Sequence, residues 1–337
     1  MLNIGFRLDA NQQIGNGHFY RCLNFTNHLP RHKFKVFFIT AKINESLKKI
    51  LESNRINLIN LSLESRKRNN KNIELQSMKK VITEKKISTL FLDKFIIDSD
   101  YEEKLSCMVD NLIIIDDVLD KKRHCSIIID FNNLKKINTK DNIKSSLVQF
   151  FIDKRFFQRT SKKLEKIKTI MISFGSTDKH NVTEKLVKLL KSKLFDEFNF
   201  FVVVGMHNKR KTFIQKECNG MKNFKYIFST NNIEKYMLNS DICIGSLGIS
   251  IYERFFIGLP SIIINTSNTQ EKLHKKLCDK NLIMSMGSAK NLFNIRFEKK
   301  MMQNLNDLER IKNLKEKIKS EFAFNNSVNV LNELKIK

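Results

Sequence analysis

Short, nearly continuous apolar runs alternate along the chain with segments whose apolar positions return at helical spacing. In the first half, runs at 2–6, 35–39, 56–61, 89–93, 111–116 and 126–130 predict strands, and 45–53, 73–85 and 100–109 predict amphipathic helices. Apolar strands separated by helices predict a parallel sheet covered on both faces. The pattern starts afresh with runs at 168–174, 199–205, 225–228, 241–245 and 261–265, and the polar, basic stretch 150–168 marks the join. The expected architecture is α/β: two Rossmann-like domains, 1–155 and 156–320, with parallel sheets facing across a cleft, and a C-terminal tail over 321–337.

The first strand–turn–helix carries the strongest chemical signal. The strand runs into Arg7-Leu8-Asp9, then a polar loop, then Ile14-Gly15-Asn16-Gly17-His18 at a helix start. Two glycines one residue apart let a ligand approach the backbone, and the helix N-terminus offers N–H groups and positive potential to an anion. The dinucleotide fingerprint is excluded, because Tyr20 stands where its third glycine would be. The second strand also ends in Thr40-Ala41-Lys42, with no acid for a ribose hydroxyl. No P-loop pattern occurs.

The second half repeats this logic twice. Ser173-Phe174-Gly175-Ser176-Thr177-Asp178 follows a strand and precedes a helix, a turn suited to phosphate or backbone contact through Gly175 and Ser176. Further on, Gly245-Ser246-Leu247-Gly248 leads into a helix, where Gly248, Ile249 and Ser250 would present N–H groups and a hydroxyl to a diphosphate. Glu253 lies one turn on, at a spacing that reaches a ribose diol, and Gly258-Leu259-Pro260 stops the helix.

Composition narrows the classes. The chain has 337 residues, 41% of them hydrophobic, with 10 Gly and 2 Pro, which is globular and long enough for two cores. Six scattered cysteines without a C-x-x-C pair read as reduced thiols of a cytoplasmic protein. No signal-peptide pattern and no run of membrane-spanning length stands out. The net charge of +26 comes from 61 Lys and Arg against 35 Asp and Glu, but the lysines are spread over the whole length. That distribution describes solvated faces of a Lys/Asn/Ile-biased chain, compatible with loose attraction to acidic membranes. It lacks the basic stripe with interleaved aromatics that would mark a nucleic-acid partner.

At these residues the chain resembles the UDP-sugar hydrolase family of pseudaminic acid biosynthesis, a GT-B-like relative of the glycosyltransferases that form lipid II. The resemblance is carried by Phe6-Arg7-Leu8-Asp9, Ile14-Gly15-Asn16-Gly17-His18 and Arg21-Cys22-Leu23, then by Ile115-Asp116-Asp117-Val118, Cys125 and Asp130-Phe131-Asn132. It continues through Ser173–Asp178, the Gly248–Arg254 helix start and Gly258-Leu259-Pro260, spanning about residues 1–280 in order. It implies inverting hydrolysis of UDP-2,4-diacetamido-2,4,6-trideoxy-β-L-altropyranose: water attacks C1, UDP leaves, and no metal or cofactor takes part. The base falls on His18, where the positive helix end favours a neutral, proton-accepting ring. The resemblance also implies sugar contacts from the first domain, UDP contacts from the second, and closure that expels water. The chain departs from the pattern at Lys94 and Phe95 after Asp93, at Ile249, Ile251 and Tyr252, and at Thr269 beside Gln270.

Each candidate also has a plainer role. His18 is the base or a hydrogen-bonding residue at a helix start; Asp9 supports the imidazole or caps its loop. Arg7 and Arg21 contact phosphate or sugar, or form structural ion pairs. Gly15, Gly17 and Asp93 join the expected substrate contacts, and Gln270 reaches sugar or phosphate. Asp116 and Asp117 line the cleft or cap a turn, and Glu253 binds ribose or complements a helix dipole. The rival functions are a glycosyltransferase acting on a UDP-sugar, a non-catalytic nucleotide-sugar binder, and a charge-driven nucleic-acid or membrane-surface protein.

Overall fold

In the computed structural model the apolar runs form two six-stranded parallel sheets. The structure describes residues 1–11, 15–61, 71–94, 98–116, 123–131, 143–159, 163–290 and 295–334, without the side chains of 145, 269 and 295. Ile14, Phe95, Asp117, Val118, Asn132 and the side chain of Thr269 therefore lie outside the described residues. The chain divides into two compact units, residues 1–152 with 325–337, and residues 153–324.

The strands of the first unit are β1 (Leu2–Leu8), β2 (Phe34–Thr40), β3 (Asn57–Asn60), β4 (Ile87–Asp93), β5 (Asn111–Asp116) and β6 (Ile127–Asp130). Its helices α1 (Gly17–Thr26), α2 (Glu45–Ser53), α3 (Lys71–Glu84) and α4 (Ser99–Ser106) alternate with them. The sheet order β3-β2-β1-β4-β5-β6 places the topological switch between β1 and β4, whose last paired residues are Leu8 and Asp93.

The strand alternation sorts the core onto two faces. On one face Phe6 stacks on Phe91 at 4.5 Å, and Phe25 of α1 reaches Phe91 at 4.9 Å and Phe151 at 4.5 Å. On the other, Leu90 and Leu92 pack with Ile39, Ile114 and the α3–α4 residues Leu75, Met78, Ile82 and Leu105. Gly5 belongs to this second face: a Cβ there would lie 3.1 to 3.3 Å from Leu90, Ile39 and Ile87 side chains.

The second unit contains β7 (Thr169–Ser173), β8 (Asn199–Val204), β9 (Phe224–Phe228), β10 (Ile242–Gly245), β11 (Ser261–Asn265) and β12 (Met284–Ser288). Its helices are α5 (Val182–Leu190), α6 (Lys211–Asn219), α7 (Ile233–Leu238), α8 (Ile249–Ile257), α9 (Glu271–Asp279), α10 (Ile295–Asn306) and α11 (Leu308–Glu321). The order β12-β11-β10-β7-β8-β9 puts its switch between β7 and β10. β12 is absent from the strand pattern expected of the sequence. It is an edge strand in which only Met284 and Met286 are buried, with a register shift opposite β11 and Gly287 at φ +89°, so its apolar signal is short and interrupted. Among the described residues, no helix is long and apolar enough to cross a membrane.

The C-terminal segment is not a separate tail. Gln149, itself buried, donates to the Asn325 carbonyl (3.1 Å) and accepts from the Asn325 N–H (2.7 Å). The terminal helix α12 (Val330–Leu334) then buries Val330 and Leu334 in the first unit. Replacing Gln149 by Ala strands both backbone groups of Asn325, a loss of about 1–3 kcal/mol. The expected result is a lower urea midpoint for the first unit and faster amide exchange over 325–334, with the second unit's transition unmoved.

Candidate active site

His18, Arg21 and Cys22 stand at positions i, i+3 and i+4 of α1 and so share one helix face. That face meets Asp93, which β4 delivers at its C-terminal end beside the end of β1. His18 Nδ1 lies 2.5 Å from Asp93 Oδ1. Arg21 donates through Nε to Oδ2 (2.6 Å) and through Nη2 to Oδ1 (2.5 Å), and the Cys22 thiol approaches Oδ2 at 3.4 Å. All four residues are buried. Burial alone would raise the Asp93 pKa; Arg21, and then His18, overcome it and hold the carboxyl well below the usual carboxylate range. Burial and Asp93 together push the Cys22 thiol far up, so it stays protonated.

An ionised carboxylate at Nδ1 selects the tautomer with the proton on Nδ1, and a neutral ring then has its lone pair on Nε2. Gly15 precedes this site at φ +88°, a conformation that glycine adopts without strain, and Gly17 is the first residue of α1. No side chain caps the first turn of α1, and no acid lies in it. The positive end of the helix therefore adjoins the imidazole.

Asp9 does not orient that imidazole. Its Oδ1 accepts from Arg7 Nη1 (2.9 Å) and from the N–H groups of Ala41 (2.8 Å) and Lys42 (3.0 Å), which ties the end of β1 to the loop after β2. Burial raises its pKa, and Arg7 outweighs that and lowers it. Arg7 in turn is fully buried. It donates to Glu74 (2.8 Å), to both Asp9 oxygens and to the Leu8 carbonyl (2.8 Å), so its guanidinium is taken up by a brace inside the fold, the plainer of its two expected roles. Glu74 also accepts from Lys94 (2.6 Å) and Tyr101 (2.9 Å), which places Lys94 in this brace. Asp116 serves similarly: Arg123 donates to Asp116 (2.7 Å) and to Glu102 (2.6 Å).

In the second unit the two expected loops differ in what they leave open. Asp178 accepts from Val182 N–H (2.9 Å) and Thr183 N–H (2.8 Å), so the start of α5 is already capped from within. Gly175 and Ser176 remain at the turn, seated on Gly205, where a Cβ would fall 2.4 Å from Gly175 O and Ser176 Cα. The start of α8 is different. Gly248 is its N-cap at φ +137°, no side chain caps it, and Ile249 and Ser250 open the helix with no acid in the first turn. Gln270 adjoins it, donating to the Leu247 carbonyl (3.1 Å), while its buried Oε1 has no hydrogen-bond partner among the described residues.

Glu253 follows on α8, partly buried. Desolvation pushes its carboxyl up to about 7, against the pull of Arg254, with Asp153 and Glu234 adding to the rise and Arg155 opposing it. Both uncapped helix starts, α1 and α8, follow strands at a topological switch point (β1 beside β4, β10 beside β7), the position where open parallel sheets bind ligands.

No protein-family model matches the chain. It is 23% identical over 290 residues to an uncharacterized protein of Methanocaldococcus jannaschii, a match covering 81% of this chain and 57% of that protein. The chain thus spans little more than half the length of that relative. Among solved structures it is similar to MurG of Acinetobacter baumannii, at a TM-score of 0.71 and 10% identity over 96% of each chain. This is the GT-B fold. The glycotransferase of kitacinnamycin (TM-score 0.66, 11% identity, 98% of each chain) shares it. So does the UDP-GlcNAc 2-epimerase of Neisseria meningitidis, solved with UDP-GlcNAc bound (TM-score 0.56, 12% identity, 100% of each chain).

The Asp93–His18 pairing was outside the sequence reading, which placed Asp93 among substrate contacts. The only signal for it was an acid at the end of the fourth strand, and its use depends on β4 lying beside β1. Asp93→Asn leaves Arg21 buried without its counter-charge, an expected loss of about 3–5 kcal/mol. The native carboxyl has a folded pKa below its unfolded one. Its stabilisation is therefore present above about pH 4 and is lost as pH falls through the folded value. Any fall in thermal midpoint contributed by Asp93 should be absent between pH 7 and about pH 4 and set in below it, so that from about pH 4 to pH 2 the midpoint falls more for the native protein than for Asp93→Asn.

Proposed function

We propose that this chain hydrolyses a UDP-linked 2,4-diacetamido-2,4,6-trideoxy sugar at C1, releasing UDP with inversion, in nonulosonic (pseudaminic) acid biosynthesis. The observation that carries the reading is His18, set at an uncapped helix start and held at Nδ1 by an ionised, Arg21-bound Asp93. The fold supports it, since solved proteins of this fold include glycosyltransferases and a UDP-sugar epimerase.

In this reaction His18 Nε2 takes a proton from water as the water oxygen bonds to C1. The bond from C1 to the β-phosphate oxygen breaks, and UDP leaves with its electron pair. Asp93 stabilises the imidazolium so formed, and Arg21 keeps Asp93 ionised and in place. UDP is bound by the second domain: the N–H groups of Ile249 and Ser250 and the dipole of α8 take the diphosphate, with Gly175, Ser176 and Gly248 letting it approach. Glu253 accepts from the ribose hydroxyls, and the unpartnered Gln270 Oε1 accepts a hydroxyl or amide N–H of the sugar.

A glycosyltransferase on the same kind of donor is the second reading, carried by the shared fold. UDP release from the diacetamido-altrose donor, without an acceptor, separates the two. Hydrolysis predicts steady release that falls by about 10²–10⁴ in His18→Ala, the usual worth of a general base. Release only on adding a sugar or lipid acceptor identifies a transferase, and UDP binding without turnover identifies a binder.

Glu253 adds a pH dependence. Ribose hydroxyls donate to the ionised carboxylate, so binding is coupled to loss of its proton. Uridine affinity should therefore drop as pH falls below about 7, by up to about tenfold per unit, and level off above it. Calorimetric titration between pH 5.5 and 8.5 should show that step in the native protein and not in Glu253→Gln.

A further inference from the structure

Arg254 is 2% exposed, yet no carboxylate among the described residues lies within ion-pair distance of it. Its guanidinium donates through Nη2 to the Ser246 carbonyl (2.6 Å), through Nε to the Ser250 carbonyl (3.1 Å), and through Nη1 to the Cys243 sulfur (3.2 Å). Cys243 does not neutralise it, because burial pushes that thiol's pKa up despite the pull of Arg254. The neighbouring Glu253 feels the charge but makes no bond to it.

The site is shaped around this cation. A Cβ on Gly245 would fall 2.7 Å from Arg254 Nη1 and 2.6 Å from the Ser173 carbonyl, so glycine alone leaves room for the guanidinium at the end of β10. The two carbonyls that Arg254 holds bracket the turn from Leu247 to Ile249, at the uncapped start of α8. Gln270 joins the same turn: its Nε2 donates to the Leu247 carbonyl (3.1 Å) and lies 4.0 Å from the Cβ position of Gly248.

A buried cation bonded only to neutral acceptors is costly to the free protein, and an anion arriving nearby offsets that cost. We propose that Arg254 is a positioning residue for anion binding: from beneath the 246–250 turn it supplies the counter-charge to a ligand diphosphate and fixes the turn so that its N–H groups meet the phosphates. This rests on the reading of the second domain as the nucleotide-binding one. It adds that affinity for the phosphates, and not for the nucleoside, depends on a residue that never touches the ligand.

The test compares UDP, uridine and inorganic pyrophosphate binding by calorimetry at pH 8.5, above the Glu253 transition, for the native protein and Arg254→Gln, with thermal midpoints of both in the absence of ligand. The amide keeps a donor for one carbonyl and removes the charge. Expected are a loss of about tenfold or more for UDP and pyrophosphate, uridine within about threefold, and an unliganded midpoint unchanged or raised. Equal losses for UDP and uridine with a lowered midpoint would reduce Arg254 to a structural strap and overturn the proposal, as would unchanged UDP affinity. If Arg254→Gln does not fold, Arg254→Lys decides: UDP held within about fivefold supports the charge, and a parallel loss of UDP and uridine overturns it. Pyrophosphate bound in an Arg254-dependent way, with no binding of UDP or uridine, keeps the anion site and discards the nucleotide reading. Binding of none of the three by the native protein overturns both.

Discussion

A single buried carboxylate organises the first domain's site. Asp93 lies in the interior at the end of a central strand, where an ionised acid persists only if cations and donors surround it. Arg21, His18 and Cys22, one face of α1, converge on its two oxygens. The interaction therefore sets the rotation of α1, the tautomer of the imidazole and the placing of the glycine turn before it. The aromatic core reinforces the same geometry, since Phe25 of α1 packs on Phe91, two residues before Asp93.

Around that centre, charged residues that look equivalent in sequence divide into different work. Arg7 and Asp9 lie two residues apart and bind each other, with Glu74, Lys94 and Tyr101 closing a brace at the end of β1. That brace occupies the Arg7 guanidinium and both Asp9 oxygens. Arg21 lies only three residues beyond His18 and shares its carboxylate. The contrast follows from direction: a strand residue on the α3–α4 face of the sheet turns into the helices covering that face, whereas a residue at the start of α1 stays at the strand ends.

The second domain shows the same separation between helix starts. Asp178 closes the N-terminus of α5 from within, while α8 opens on Gly248 with no side-chain cap. An uncapped helix start over a buried, carboxylate-free arginine is electrostatically unfinished, and an anion completes it. Beside it, desolvation raises the Glu253 carboxyl to about 7 against the pull of Arg254.

Much of this was legible in the chain itself. Alternating apolar runs and helical periods are local, so eleven of the strands and the two-domain α/β plan follow from residue order, with ends shifted by a residue or two. The glycine turns at Gly15 and Gly248 were legible too, because a positive φ is a demand on one residue at a time. Three things belonged to the tertiary structure alone: which acid meets His18, which arginines face inward, and where the C-terminal segment docks. Asp9 and Asp93 have the same functional group, and only the adjacency of β1 and β4 chooses between them. Arg254 reads as an ordinary helix residue until Gly245 and Cys243 fold around it. The return of residues 325–334 to the first unit was hidden because it depends on Gln149, far away in sequence, whereas β12 was hidden because its apolar signal is short and interrupted.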